Sequence, residues 1–180
     1  MLVLIGPASA GPTVDELAPS LPVIVPTPSD FAPQFPFPFD QTRRSVTGAD
    51  INAEREMCQW FNAQYETLMT QIDGFNNNLI RDNGDYNAGA NQQLADAVTA
   101  NIDQSEDFLA PRAQALTQSQ DSFGDNYFPL YQGESFYLLW QHLSNVSAGI
   151  KGHQPAWFVG PSVQRAMRWG TEIKRSHVCR

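Results

Sequence analysis

Nowhere in the 180 residues is there a run of about twenty apolar side chains, so the sequence offers no transmembrane helix. Basic residues are scarce as well: 11 Lys and Arg face 19 Asp and Glu, a formal net charge of −8 that would repel nucleic-acid phosphates. Alternating strand patterns of useful length are absent, which turns the reading away from β structure. His142, His153 and His177 are the three histidines, and none sits in a His-Glu-x-x-His or Glu-x-x-His pattern, so zinc and di-iron sites have no support. Asn145-Val146-Ser147-Ala148-Gly149 lacks the first glycine of a nucleophile elbow and reads as a helix end. The turn from Asp82 to Asn87 puts Gly84 and Tyr86 where a calcium loop needs oxygen donors. No cofactor is expected, and no catalytic motif argues for an enzyme.

Cysteine is limited to Cys58 and Cys179, which bracket most of the helical-looking sequence. A pair of this kind in an exported chain reads as a disulfide, the alternative being Cys58 as a nucleophile served by a histidine from elsewhere. Export is suggested by the apolar stretch Met1-Leu2-Val3-Leu4-Ile5, the breaker Gly6-Pro7 and the small-x-small triplet Ala8-Ser9-Ala10. Residues 1–10 lack a basic n-region, so they are expected to be the end of a signal peptide that starts upstream.

What the sequence has in excess is proline near its start: nine of the 13 fall at or before Pro38. Residues 11–46 should therefore be an extended arm. Phe31, Phe35, Phe37 and Phe39 alternate with prolines in it, and such rings either fold back on their own domain or anchor a partner. The domain proper is expected over 47–180. Thr47 and Asp50 fit a capping box, and Cys58, Phe61, Tyr65, Leu68, Ile72, Phe75 and Leu79 mark one face of a long helix. Glu54 interrupts that face one turn before Cys58. A second helix runs through Leu94, Val98, Ile102 and Leu109, continuing past a kink at Pro111 to Ala113, Leu116 and Phe123. Phe136, Leu139, Leu143, Val146 and Ile150 mark a third, and Val163, Ala166, Met167, Gly170 and Ile173 a fourth opened by Pro161. The expected fold is all-α: an up-and-down bundle of about four helices, closed by Cys58–Cys179 and preceded by the Pro/Phe-rich arm.

Residues 150–180 hold six basic side chains and one acidic, against five and eighteen before them. Arg165, Arg168, Lys174 and Arg175 are thus candidate contacts for an anion or for acidic neighbours. Tyr131, Tyr137, Trp140, His142, Trp157 and Trp169 are candidates for an apolar ligand pocket between helices. Glu54, Glu66, Asp103, Glu106 and Asp107 could form an acid and base pair, but polar helix faces account for most of them and a place near a helix start for Glu54, so all five are expected to be solvated.

With Met57-Cys58-Gln59-Trp60-Phe61 at one end and Ser176-His177-Val178-Cys179-Arg180 at the other, the lysine-poor helical chain resembles the small secreted helical proteins of mycobacteria and related actinobacteria. The resemblance implies a location outside the cell or in its envelope, and no activity. The expectation is a non-enzymatic secreted or envelope protein that binds a protein partner, as an accessory subunit would. The alternative is a carrier of an apolar ligand, a lipid or haem.

Overall fold

A computed structural model describes residues 13–27, 47–121 and 133–180, without the side chains of 117–121, Ala156 and Trp157. Among the described residues all regular structure is helical. A single turn, α1 (Val14–Leu17), precedes a long first helix made of α2 (Gly48–Trp60), one wide π-helical stretch (Phe61–Tyr65) and α3 (Glu66–Arg81). Then come α4 (Asn91–Asp121), α5 (Gly133–Lys151), the short α6 (Pro155–Phe158) and α7 (Pro161–Ser176). The four long helices form the expected all-α bundle.

Local chemistry sets the helix ends. Thr47 Oγ1 accepts from the Asp50 N–H at 3.2 Å while Asp50 Oδ2 accepts from the Thr47 N–H at 2.9 Å, a complete capping box. Pro155 and Pro161 open α6 and α7 where a missing N–H costs nothing. His177 ends α7 in the left-handed region at φ 59°. Helix α4 runs through Pro111, and the next residue ties that region down: Arg112 lies 3.8 Å over the Phe108 ring, donates to the Phe108 carbonyl at 2.7 Å, and pairs with Glu56 of α2 at 2.7 Å.

Successive helices are antiparallel, as residue pairs show. Gln71 meets Asn101 and Glu56 meets Arg112 between the first helix and α4, while Asp103 meets Ser147 and Lys151 between α4 and α5. Helix α7 returns beside the first helix. Lys174 pairs with Glu66, Asn62 donates to the Cys179 carbonyl at 2.7 Å, and Cys58 is bonded to Cys179 with Cα atoms 5.0 Å apart. The apolar face of the first helix is buried from Cys58 to Leu79, as are its counterparts on α4 and α5. Helix α7 departs from expectation in one respect. Ala166, Gly170 and Ile173 are buried, but Met167 is 53 % exposed, because the two small residues let α7 approach closely and leave Met167 on the flank. The core also reaches beyond the Thr47 boundary, taking in Ala18 and Leu21.

At Gly170 the approach is tight: a Cβ there would fall within the ring of Tyr65, which is itself buried and stacked on Phe61 with centroids 4.6 Å apart. Gly170→Ala should lower stability by about 1–3 kcal/mol through overpacking, measured by urea unfolding. The disulfide closes a loop with a sequence separation of 121. Replacing both cysteines with serine should cost about 4–5 kcal/mol on the chain-entropy account, read as a lower urea midpoint.

Candidate functional site

The arm is where this bundle departs from a plain four-helix protein. Residues 18–27 run extended along the cleft between the first helix and α4, antiparallel to the first helix, and side-chain amides hold their backbone. Gln71 and Asn101 both donate to the Pro19 carbonyl, at 2.8 and 3.0 Å. Asn101 Oδ1 accepts from the Leu21 N–H at 3.1 Å, and Gln104 donates to the Leu21 carbonyl at 3.2 Å. Gln64 donates to the Pro22 carbonyl. Gln59 closes the series on Thr27, donating to its carbonyl at 3.2 Å and accepting from its N–H at 3.4 Å. Asn101 also donates to Gln71 Oε1 at 2.9 Å, which orients these two amides relative to each other.

These five carboxamides form a clasp that reads main chain. Gln64, Gln71 and Asn101 are almost fully buried, so each needs a partner that water cannot supply. Gln64 and Gln71 are seven residues apart and share a side of the helix with Met57 and Asn78; the wide turn at Phe61–Tyr65 contains Gln64. Proline suits the occupant, since the clasp takes the carbonyls of Pro19 and Pro22 and asks for N–H groups only at Leu21 and Thr27. Ala18 and Leu21 are buried and Ile24 packs partly against the core, while Val23 and Val25 are 77 % exposed.

The clasp was not anticipated from the sequence, where glutamines and asparagines at helical spacing pass for a solvated face. The signal available was three amides, Gln64, Gln71 and Asn101, flanking apolar stripes near a proline-rich segment with carbonyls to satisfy.

The residues singled out from the sequence are placed as follows. Cys58 and Cys179 are joined, so neither is a free nucleophile. Phe31, Phe35, Phe37, Phe39 and Tyr131 lie outside the described residues, as does the Trp157 side chain. Tyr137 and Trp140 meet edge to face at 5.3 Å, and Trp169 lies under Arg168 at 5.1 Å. The grooves described in the bundle are lined by other residues. Of the basic residues, Lys174 pairs with Glu66 and Arg175 with Glu172 at 3.7 Å, while burial and then the charge of Arg165 lower the pKa of His142. The largest groove described, about 380 Å³, lies between α3 and α7 and contains the exposed Ile80, Val159 and Met167.

Two carboxylates do not fit the solvated-face account. Glu54 is fully buried, neither oxygen has a hydrogen-bond partner, and burial raises its pKa well above the ordinary value. Glu106 is raised to about 7, first by burial and then by the charge of Asp103, with the Ser144 hydrogen bond and Lys151 opposing. Asp103 accepts from Ser147 Oγ at 2.6 Å and from Lys151, which accounts for Ser147 within α5 without a nucleophilic role. Among the described residues no group of three His, Cys, Asp or Glu is placed to hold a metal ion. In the Asp82 to Asn87 turn, Asn91 donates to Asp82 and to the Asp85 carbonyl. No family model, curated protein or solved structure matches the chain.

Both raised carboxyls have the same consequence for stability. Each titrates near 4.5 when unfolded and higher when folded, so the folded state is favoured most when they are protonated. Stability from this source is full below about 4.5 and is lost as pH rises, through about 7 for Glu106. The melting temperature should decline across that window, and the double variant Glu54→Gln, Glu106→Gln should flatten the decline, as measured by thermal melts at stepped pH.

Proposed function

We propose that this chain is a non-enzymatic extracytoplasmic protein that grips an extended segment of a protein partner in the clasp between the first helix and α4. The observation that carries the reading is the aim of the five carboxamides: each makes at least one hydrogen bond to a backbone atom of the arm, the feature that any extended segment presents whatever its side chains. Its own residues 18–27 occupy the clasp in the folded chain and would be exchanged for the partner's segment. Ala18 and Leu21 are buried and Ile24 packs partly against the core, while Val23 and Val25 stay exposed, so the hold combines the amide contacts with a small apolar anchor.

Secretion or attachment to the cell envelope belongs to the same proposal. It is supported by the disulfide, which persists in oxidising compartments, and by the Ala8-Ser9-Ala10 triplet after a short apolar stretch. Likeness to the small secreted proteins of mycobacteria and related actinobacteria is of a piece with this. Phe31, Phe35, Phe37 and Phe39 would supply further anchors to the partner. Carriage of a lipid or haem is the lesser alternative, because it requires Tyr137, Trp140, His142 and Trp169 to face one cavity.

Thr67 is exposed and lies between Gln64 and Gln71 along the helix, at the lip of the clasp. With benzoylphenylalanine at that position in protein made by its own organism, irradiation should produce cross-links to a segment of another polypeptide, reduced by adding Gln71→Ala. Cross-links confined to the chain's own arm in every preparation would remove the reading.

A further inference from the structure

The clasped segment has a second copy in the chain. Glu16-Leu17-Ala18-Pro19-Ser20-Leu21-Pro22 is matched fourteen residues later by Asp30-Phe31-Ala32-Pro33-Gln34-Phe35-Pro36. Alanine and both prolines are identical, and acidic, large apolar and polar residues correspond at the other four positions. The alanine, the two prolines and the two large apolar positions are used in the folded chain, whereas Glu16 and Ser20 are exposed. Ala18 is the small residue that fits against the core, Pro19 and Pro22 offer carbonyls to Gln71, Asn101 and Gln64, and Leu21 is the buried anchor. Leu17, the counterpart of Phe31, packs against the core from the end of α1. Residues 30–36 lie outside the described residues and enter here by sequence alone.

We propose that the clasp is a site for segments of the pattern large apolar-Ala-Pro-x-large apolar-Pro, and that residues 31–36 are a second occupant it accepts in place of residues 17–22. The proposal rests on the clasp being a segment-binding site and names the segment.

Chain geometry permits the exchange within one molecule. In the occupied state Thr27 is held by Gln59, and the chain then has twenty steps to reach Thr47. Along the first helix those two points are about 18 Å apart, whereas twenty extended residues reach about 66 Å. If Pro36 took the place of Pro22 beside Gln64, eleven steps would remain to Thr47. They would need to cover about 25 Å and can reach about 36 Å. The slack in the connection is thus enough to absorb a shift of fourteen residues. Phe35 is bulkier than Leu21, and overpacking of the anchor pocket explains why the earlier segment is the resident. Both segments are tethered to the same clasp, so they compete at a high effective concentration that a foreign segment must overcome.

The test uses the full isolated chain and four proteins: wild type, Leu21→Asp, Phe35→Asp and the double variant, compared by urea unfolding. Phe35→Asp alone should leave the midpoint unchanged, because the resident segment stays in place. Leu21→Asp should lower it modestly, since residues 31–36 take over. The double variant should fall by far more than the two single losses combined. Strictly additive losses, outright unfolding of Leu21→Asp, or a marked loss in Phe35→Asp alone would each overturn the proposal. A second readout locates the occupant: benzoylphenylalanine at position 67 should cross-link near residue 21 in the otherwise unaltered chain and near residue 35 in Leu21→Asp. Cross-links in Leu21→Asp that remain near residue 21, or vanish, also overturn it. Because no partner is present, this result stands or falls separately from capture of another polypeptide.

Discussion

Closure of the bundle depends on the seam where α7 meets the first helix. Tyr65 fills the space that a side chain at Gly170 would occupy, Lys174 pairs with Glu66, and Cys58 is bonded to Cys179, all along one line of contact. Helix α5 packs on α4 and on α7, so without the seam α7 would be held by α5 and the short α6 and the core would be open along the first helix. The covalent bond fixes one end of this seam, and the missing side chain at Gly170 makes room for the end of the Tyr65 ring.

The first helix therefore serves two structures at once. One side carries Cys58, Phe61, Tyr65, Leu68, Ile72, Phe75 and Leu79 into the bundle, and an adjoining side carries Gln64 and Gln71 to the arm. An apolar face can bind another apolar face in many registers, whereas an amide must find a specific carbonyl. The amides thus fix where the arm sits, and Ala18 and Leu21 add buried area once it is there. Asn101 uses its donor toward Pro19 and Gln71 and its acceptor toward Leu21, so the second helix, the first helix and the arm meet at a single side chain.

Much of the fold was legible in the sequence because apolar periodicity reports burial directly. Each marker residue of the first and third helices is buried, the Thr47 and Asp50 cap is present, and the cysteines pair as their positions suggested. Met167 shows the limit of periodicity: it falls in the right position by spacing, but the close approach at Gly170 sets which way α7 is turned. Glu54 was visible as an interruption of the apolar face, and its burial follows from that position. The clasp was not legible. Glutamine and asparagine are equally at home in water and against a backbone, and only the path of the arm reveals which environment Gln64, Gln71 and Asn101 have.

The disulfide has a mechanical consequence. Once the arm is free, tension drawn along the chain passes directly across the Cys58–Cys179 bond, and the residues between them then form a loop that bears no load. The only parts able to lengthen under force are those outside the loop, chiefly the arm and the beginning of α2. Peeling the arm would load the amides of the clasp one after another, from Gln71 or from Gln59 according to the end that is pulled. A protein anchored by its arm would thus yield by releasing carbonyls in succession while its bundle kept its shape.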